Sequence, residues 1–341
     1  MQIGVDAPDR CLGRDTEIAT LTDALLAPRA AALVLGGPGI GKTTLTRAVA
    51  ASDALAARFT DRRWFVPLET ATDAATLRTA TVLALGLDAA NPAAFDHALA
   101  QLREAPAPLV LDNLETPWEA DMPAVQDTLR RLAALPHLAL LASLRGSEAP
   151  DSPAWSRIMD LEPLPRDAAR DLFLTIAHRI KPSDALLDRF LDALGGVPLA
   201  VELVAKRAAP HTSLAGLWDD WQRRGVQLAR HPNLMEEDRQ SSLLRSIDLS
   251  LHSTRLRDEG RRLLRLLGPS PAGMAREDRA ILQSDEATEA ERQLLAIGLA
   301  VPRGDRLDLL PPVRDAARHL ASPTEEDTDH WCRHYLGLPW M

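Results

Sequence analysis

A cluster of glycines followed by a lysine and two threonines lies between residues 36 and 45, which read Gly-Gly-Pro-Gly-Ile-Gly-Lys-Thr-Thr-Leu. The segment matches the pattern Gly-x-x-x-x-Gly-Lys-Ser/Thr and follows the apolar residues 31–35, which are typical of a buried strand. Glycines let backbone N–H groups approach phosphate oxygens with no Cβ in the way. The pattern therefore predicts a phosphate-binding loop. Its predicted nucleotide contacts are Gly37, Pro38, Gly39, Ile40, Gly41, Lys42, Thr43 and Thr44.

Two side chains of this loop indicate what it binds. Lys42 brings a positive charge to the β- and γ-phosphates, and Thr43 offers a hydroxyl to Mg²⁺. The helix that is predicted to start near Lys42 turns the positive end of its dipole toward the same anion. These residues predict that the chain binds ATP or GTP.

A carboxylate follows another apolar stretch. Asp112 comes directly after residues 109–111, and a carboxylate at the end of such a strand holds Mg²⁺ directly or through water. We therefore predict Thr43 and Asp112 as the metal ligands. The next residue, Asn113, cannot accept a proton as a base. Glu115 either reaches the attacking water or is a solvated loop charge, and the sequence leaves both interpretations open.

A positive charge follows a third apolar stretch, because Arg145 comes just after the strand predicted at residues 138–143. Its guanidinium can contact a γ-phosphate or stabilise charge that develops during phosphoryl transfer, and the alternative is a surface salt bridge. The carboxyl edge of a parallel sheet is where ligands bind, which favours the phosphate role. The predicted catalytic residues are therefore Lys42, Asp112, Glu115 and Arg145.

Length and charge limit the class of protein. The 341 residues suffice for two or three domains, and the formal net charge of −9 argues against nucleic acid or acidic membranes as main partners. Two cysteines, Cys11 and Cys332, give no disulfide framework. The sequence has neither a signal-peptide pattern nor a run of about 18 apolar residues. We therefore expect a cytoplasmic protein.

Strands and helices alternate in the first half of the chain. This alternation predicts an α/β fold, a doubly wound parallel-sheet P-loop NTPase domain over residues 1–163. The predicted strands are residues 31–35, 64–68, 109–111, 138–143 and 158–161, and the predicted helices are residues 43–59, 74–85, 95–104 and 129–135.

The second half is mainly helical. It predicts a helical bundle domain over residues 164–235, a winged-helix-like domain over residues 241–322 and a terminal helical tail over residues 323–341. We expect the tail to pack on an apolar surface through Trp331, Tyr335 and Trp340. The predicted helices are residues 167–179, 183–194, 198–208, 214–225, 243–251, 259–267, 275–282, 289–295 and 313–320, with short strands at 300–302 and 307–309.

Six segments in this order resemble one family, the STAND-class P-loop NTPases, in their NB-ARC-like branch of bacterial NLR-like regulatory ATPases. The segments are Cys-Leu-Gly-Arg-Asp-Thr-Glu at 11–17, the loop at 36–45, Leu-Val-Leu-Asp-Asn-Leu-Glu at 109–115, Leu-Leu-Ala-Ser-Leu-Arg at 140–145, Leu-Glu-Pro-Leu-Pro-Arg-Asp-Ala-Ala-Arg-Asp-Leu-Phe at 161–173, and Gly-Gly-Val-Pro-Leu-Ala at 195–200.

The resemblance implies a signal-transduction switch that binds ATP or ADP with Mg²⁺, is closed with ADP, and opens with ATP to self-associate. It implies that Leu12 and Arg14 lie near the nucleotide, that Arg145 senses the γ-phosphate, and that Pro198 packs near the adenine. The effector and sensor domains or proteins of such a switch are not visible in this chain.

The chain departs from the family pattern at two places. Asn113 stands where members often carry a second acid, which predicts slow, Mg²⁺-dependent ATP hydrolysis. The late Met-His-Asp motif of the family corresponds to residues 309–313, which read Leu-Leu-Pro-Pro-Val without a histidine. The contact that this motif makes with ADP is therefore not predicted here.

Two other functions remain as alternatives. An AAA-type motor ATPase needs a clear catalytic acid and an arginine from a neighbouring subunit. A winged-helix transcriptional regulator controlled by nucleotide needs a basic face for DNA. Residues 241–320 contain 13 arginines, no lysine and 12 acidic residues, so that their net charge of +1 argues against DNA binding.

Overall fold

The computed structural model describes residues 8, 11–225, 243–275, 277–278 and 284–336. The chain divides into two compact units. The first comprises Met1–Gly36 and Gly41–Leu161, and the second comprises Gly37–Ile40 and Glu162–Met341. The division of the C-terminal part into a bundle, a winged helix and a tail stays a prediction.

A parallel five-stranded sheet forms the centre of the first unit, which confirms the predicted α/β fold. Its strands are β1 (Ala31–Gly36), β2 (Trp64–Pro67), β3 (Ala107–Asp112), β4 (Leu138–Arg145) and β5 (Arg157–Asp160). They lie side by side in the order β2-β3-β4-β1-β5. Strands β1, β3 and β4 are almost entirely buried apolar runs, as expected for inner strands of a parallel sheet covered by helices.

The strand order determines which side chains meet at the carboxyl edge of the sheet. Strand β4 lies between β1 and β3, and its residue Arg145 pairs with Gly36, the last residue of β1. The neighbouring strand β3 ends at Asp112. The start of the glycine loop, Asp112 and Arg145 therefore follow three adjacent strands at one edge.

Seven helices of the described chain belong to the first unit. They are α1 (Asp15–Leu26), α2 (Lys42–Ala51), α3 (Asp53–Phe59), α4 (Ala74–Ala84), α5 (Ala94–Glu104), α6 (Glu115–Ala120) and α7 (Met122–Ala133). The single helix predicted at residues 43–59 is wrong, because Ser52 adopts an extended ψ of 144° that ends α2 and starts α3. The short helix α6 was not predicted.

The second unit consists of helices and a small antiparallel sheet around one continuous hydrophobic cluster that extends from Leu164 to Ala317. Its sheet has the order β6-β8-β7. The elements are α8 (Arg166–Ile176), α9 (Ala185–Leu194), α10 (Pro198–Ala208), α11 (Ala215–Arg224), α12 (Leu243–Leu251), α13 (Asp258–Leu267), β6 (Met274–Ala275), α14 (Ser284–Ala296), β7 (Val301–Arg303), β8 (Arg306–Asp308), α15 (Pro311–Leu320) and α16 (Glu325–Leu336).

In the second unit, Ala275 and Trp331 bear on two predictions made from the sequence. The helix predicted at residues 275–282 is wrong at its start, because Ala275 pairs with Arg306 as part of β6, and residues 276 and 279–283 lie outside the described ones. In the tail, Trp331 packs against the hydrophobic cluster of the second unit and donates a hydrogen bond from Nε1 to Ser270 Oγ at 3.3 Å. The side chain of Tyr335 and the whole of Trp340 lie outside the described residues.

Candidate nucleotide-binding site

The lysine of the loop is buried at the start of α2. Helix α2 begins at Lys42, directly after Gly41, whose φ of 94° is left-handed. Lys42 is 7% exposed, and its Nζ donates a hydrogen bond to the carbonyl of Gly36 at 2.9 Å. Burial lowers the pKa of Lys42 to about 8, while the charge of Glu115 raises it and that of Arg145 lowers it. The lysine is therefore a desolvated cation, which an anion would stabilise.

Residues Gly37–Ile40, the middle of the glycine loop, belong to the second unit. Within that unit, Leu199 donates its backbone N–H to the carbonyl of Gly39 at 3.2 Å, next to Pro198, the first residue of α10. A Cβ on Gly37 would lie 2.9 Å from the carbonyl oxygen of Gly298, which is closer than real Cβ atoms come. Glycine at position 37 is thus required by a close backbone approach as well as by the loop pattern.

Asp112 is the most buried acid of the candidate site, with 1% of its surface exposed. Its Oδ1 accepts a hydrogen bond from Ser143 Oγ at 2.5 Å and one from Thr46 Oγ1 at 3.4 Å. Burial raises the pKa of Asp112, and the hydrogen bonds from the hydroxyls of Ser143 and Thr43 only partly oppose this rise. The hydroxyl of Thr43, the other predicted metal ligand, therefore lies beside this carboxylate.

Glu115 and Arg145 form a largely buried ion pair. Glu115 is the first residue of α6, and its Oε1 lies 3.4 Å from Nε of Arg145, with the two side chains 10% and 17% exposed. The other oxygen, Glu115 Oε2, is buried and has no hydrogen-bond partner among the residues that the structure describes. The interpretation of Glu115 as a solvated loop charge is therefore wrong, and so is that of Arg145 as a surface salt bridge.

Asn113 forms the turn between Asp112 and α6. Its φ of 64° is left-handed, a conformation that asparagine adopts more readily than most residues. Its backbone N–H donates to Ser143 Oγ at 3.0 Å, and the next N–H, of Leu114, donates to the Ser143 carbonyl at 3.0 Å. The turn is thus fixed by β4.

The two N-terminal site residues differ in burial. Arg14 precedes α1, is 5% exposed and pairs through Nη1 with Glu17 Oε1 at 2.8 Å. Leu12 is 37% exposed. The roles of Leu12, Arg14 and Pro198 beside a nucleotide stay predictions.

The residues present fit a magnesium ion together with a nucleotide. Asp112 supplies a carboxylate and Thr43 a hydroxyl, which are hard oxygen ligands, and the unpartnered Oε2 of Glu115 is a further buried oxygen. Among the described residues, no three His, Cys, Asp or Glu side chains form a metal cluster of their own. This sparse donor set suits an ion that shares its ligands with phosphates and water.

Sequence reasoning missed the hydroxyls that hold Asp112. Ser143 and Thr46 are both fully buried; Ser143 donates to its Oδ1, and Thr46 shares its hydroxyl between that oxygen and the Thr43 carbonyl. A serine within the run Leu-Leu-Ala-Ser-Leu-Arg is a weak signal, but a polar residue at the buried carboxyl end of a strand could have pointed to it.

The fold is that of P-loop ATPases. The chain is similar to the Walker-type ATPase of Pyrococcus abyssi, with a TM-score of 0.65 and 13% identity over 92% of this chain and 99% of that one. At this identity the likeness shows the fold alone. No protein-family model and no curated protein matches the chain.

Two further solved structures are more distant. A STAND protein with a tetratricopeptide repeat sensor from Pyrococcus horikoshii has a TM-score of 0.38 and 15% identity over 96% of this chain and 45% of that one. The Orc1 protein of Aeropyrum pernix in complex with DNA has a TM-score of 0.43 and 18% identity over 92% and 94%. Scores this low do not separate one class of ATPase from another. In the described part of the chain, no helix combines the length and the apolar character needed to cross a membrane.

Proposed function

We propose that this protein is a nucleotide-controlled switch of the STAND class that binds ATP or ADP with Mg²⁺ and hydrolyses ATP slowly. The observation that carries the proposal is the cluster of the buried residues Lys42, Asp112 and Glu115 with the partly buried Arg145, beside the phosphate-loop sequence. Buried charges without full compensation lower the stability of a fold, and such groups cluster at functional sites.

Binding begins with the lysine. In this structure Lys42 Nζ donates to a carbonyl of its own loop, and a phosphate oxygen offers a stronger, charge-assisted acceptor to the same group. Bound Mg²⁺ would neutralise charge on the β- and γ-phosphate oxygens. Thr43 and Asp112 are the residues that would hold it.

The pair of Glu115 and Arg145 gives the site a means to distinguish ATP from ADP. Arg145 Nε lies 3.4 Å from Glu115 Oε1. A γ-phosphate competes with Glu115 for the guanidinium, and ADP has no group to do so. When Arg145 turns to the phosphate, Glu115 loses its cationic partner, and both of its carboxylate oxygens become available to a water molecule. Contact of Arg145 with the γ-phosphate would therefore also release Glu115, the candidate base.

Glu115 is the better candidate for the base than the residue after Asp112. Its Oε2 has no hydrogen-bond partner among the described residues, so it can accept one from water, whereas Asn113 cannot accept a proton. We expect Glu115→Gln to lower single-turnover ATP hydrolysis about 10²-fold or more, and Asn113→Asp to change it little. Unchanged hydrolysis in Glu115→Gln, together with a large gain in Asn113→Asp, would reject this assignment.

The second unit would transmit the nucleotide state. We propose that it comprises a helical bundle over residues 164–235, a winged-helix-like domain over residues 241–322 and a tail, and that the ATP state self-associates. Light scattering with ADP and with a non-hydrolysable ATP analogue tests this, and equal mass in both states would argue against the switch. A salt-dependent DNA shift would instead favour the transcriptional regulator.

A further inference from the structure

Ser143 is a fully buried hydroxyl at the carboxyl end of β4. Its Oγ donates to Asp112 Oδ1 at 2.5 Å and accepts the backbone N–H of Asn113 at 3.0 Å. Its carbonyl accepts the N–H of Leu114 at 3.0 Å. One residue of β4 thus makes three hydrogen bonds to three consecutive residues of the segment that carries both acids of the site.

The first of these hydrogen bonds fixes the orientation of a carboxylate. Oδ1 of Asp112 accepts from Ser143 Oγ at 2.5 Å and lies 3.4 Å from Thr46 Oγ1, whose hydroxyl also donates to the Thr43 carbonyl at 3.1 Å. Rotation of the carboxylate would therefore break the short contact with Ser143. A carboxylate that ligates a metal binds it best when hydrogen bonds already hold it in the right orientation. The hydroxyl of Ser143 makes the shorter of the two contacts, and it is therefore the main constraint.

The other two hydrogen bonds fix a turn. Asn113 has a left-handed φ of 64°, a conformation that persists in a non-glycine residue where its surroundings hold it. Ser143 accepts the N–H groups of the two residues that form this turn, and α6 begins immediately afterwards with Glu115. Displacement of the turn would therefore displace the candidate base.

We propose that Ser143 is a positioning residue that orients Asp112 toward the metal ion and sets the place of Glu115 at the start of α6. The inference rests on the proposed function, because it assigns a role within the same nucleotide site. Ser143 itself does not need to touch the nucleotide.

The test compares nucleotide affinity with and without the metal. Calorimetry measures ATP binding in Mg²⁺ and in EDTA for wild type, Ser143→Ala and Ser143→Thr, and single-turnover assays give the rate of hydrolysis. Thr128→Val is the matched control, since Thr128 is also fully buried in the first unit and its hydroxyl bonds only to the carbonyl of Ala124 in its own helix.

In Ser143→Ala we expect unchanged affinity in EDTA, an approximately 10-fold smaller gain in affinity on adding Mg²⁺, and hydrolysis reduced about 10- to 100-fold. Ser143→Thr keeps the hydroxyl and should retain most of the Mg²⁺-dependent gain in affinity and most of the hydrolysis rate. Thr128→Val should leave these two quantities unchanged. If Ser143→Ala does not fold, Ser143→Cys keeps the volume with a much weaker donor and should show the same loss of the Mg²⁺ effect.

Two results would overturn the inference alone. One is a Mg²⁺ gain and a rate in Ser143→Ala equal to those of wild type. The other is an equal loss of affinity with and without Mg²⁺, which a purely structural role predicts. Wild-type protein that binds no ATP in either buffer would instead refute the proposed function, and this inference with it.

Discussion

Two aspartates of this protein are buried to almost the same extent but have opposite surroundings. Asp112 in the first unit is 1% exposed, and Asp327 in the second is 2% exposed. Burial raises the pKa of Asp112, and hydrogen bonds from neutral hydroxyls do not offset it. Burial also acts on Asp327, but the hydrogen bonds from Arg265 and Thr324 outweigh it and hold its pKa below the usual range.

The partners explain the difference. Asp327 Oδ2 accepts from Arg265 Nε at 2.5 Å and from the N–H of Thr324 at 3.0 Å, and its Oδ1 lies 3.4 Å from Arg262 Nε. Its charge is compensated within the protein. Asp112 has no such cation in direct contact among the described residues. Removing a saturated buried charge, one that the protein itself compensates, is destabilising because its partners are left unpaired, whereas an unsaturated one, without a cation in contact, can take a cationic ligand.

The loss of the loop lysine should have the largest effect. In Lys42→Ala we expect affinity for ATP to fall about 100-fold, because the phosphates lose a buried charge-assisted hydrogen bond. The thermal stability should not fall, since a desolvated cation is removed. Calorimetry and thermal unfolding measure the two effects, with Lys206→Ala, an exposed lysine paired with Glu202, as the control. An unchanged affinity for ATP in Lys42→Ala would contradict the assignment of Lys42 to the nucleotide-binding site.

The loss of the saturated carboxylate should reduce stability. In Asp327→Asn we expect about 2 kcal/mol lower free energy of unfolding, because Arg262 and Arg265 keep their charge without its partner. Denaturant unfolding measures this. Asp329→Asn is the control, since Asp329 lies on the same helix and pairs with Arg333 but is itself exposed. Equal stability of the two variants would show that Asp327 contributes no more than a surface charge.

The same substitution at the unsaturated carboxylate should behave differently. Asp112→Asn should change the free energy of unfolding by less than about 1 kcal/mol, since the amide oxygen can still accept from Ser143 and no buried cation loses an ion-pair partner. It should nevertheless abolish the gain in ATP affinity on adding Mg²⁺. A stability loss as large as that of Asp327→Asn would place Asp112 among the structural charges.

The smallest expected effect is on pH dependence. Because the pKa of Asp327 is lowered in the folded state, its contribution to stability is present above the ordinary aspartate pKa of about 3.9 and is lost as the pH falls through the lower folded value. Thermal unfolding between pH 6 and pH 2 should therefore show a steeper acid loss in wild type than in Asp327→Asn. If the stability of wild type and of Asp327→Asn fell in parallel with decreasing pH, the acid loss could not be attributed to Asp327.

The sequence predicts the candidate residues of the site but not the contacts that they make with one another. The loop pattern, Asp112 and Arg145 were found because each follows an apolar run in the chain, which is local information. The contact of Ser143 with Asp112 depends on the strand order, which places β4 between β1 and β3. The pairing of Glu115 with Arg145 also depends on this strand order.

The errors in the predicted secondary structure also arise where the local pattern does not determine the structure. Helices α2 and α3 were joined because the apolar pattern continues through Ser52, although Ser-Asp is a common start of a helix and could have signalled the break. The two-residue strand β6 exists only through its pairing with β8, and no local pattern marks it. The long strands β1, β3 and β4 agree with the prediction because each has a strongly apolar local pattern of its own.

Above all, we propose that the charged cluster of the first unit binds an adenine nucleotide. The most direct test is to denature freshly purified protein, identify the released nucleotide by chromatography, and titrate the stripped protein with ATP and Mg²⁺. We expect ADP or ATP to be released in an amount approaching that of the protein, or the stripped protein to bind ATP. Release of no nucleotide, together with no binding at millimolar ATP and Mg²⁺, would contradict it.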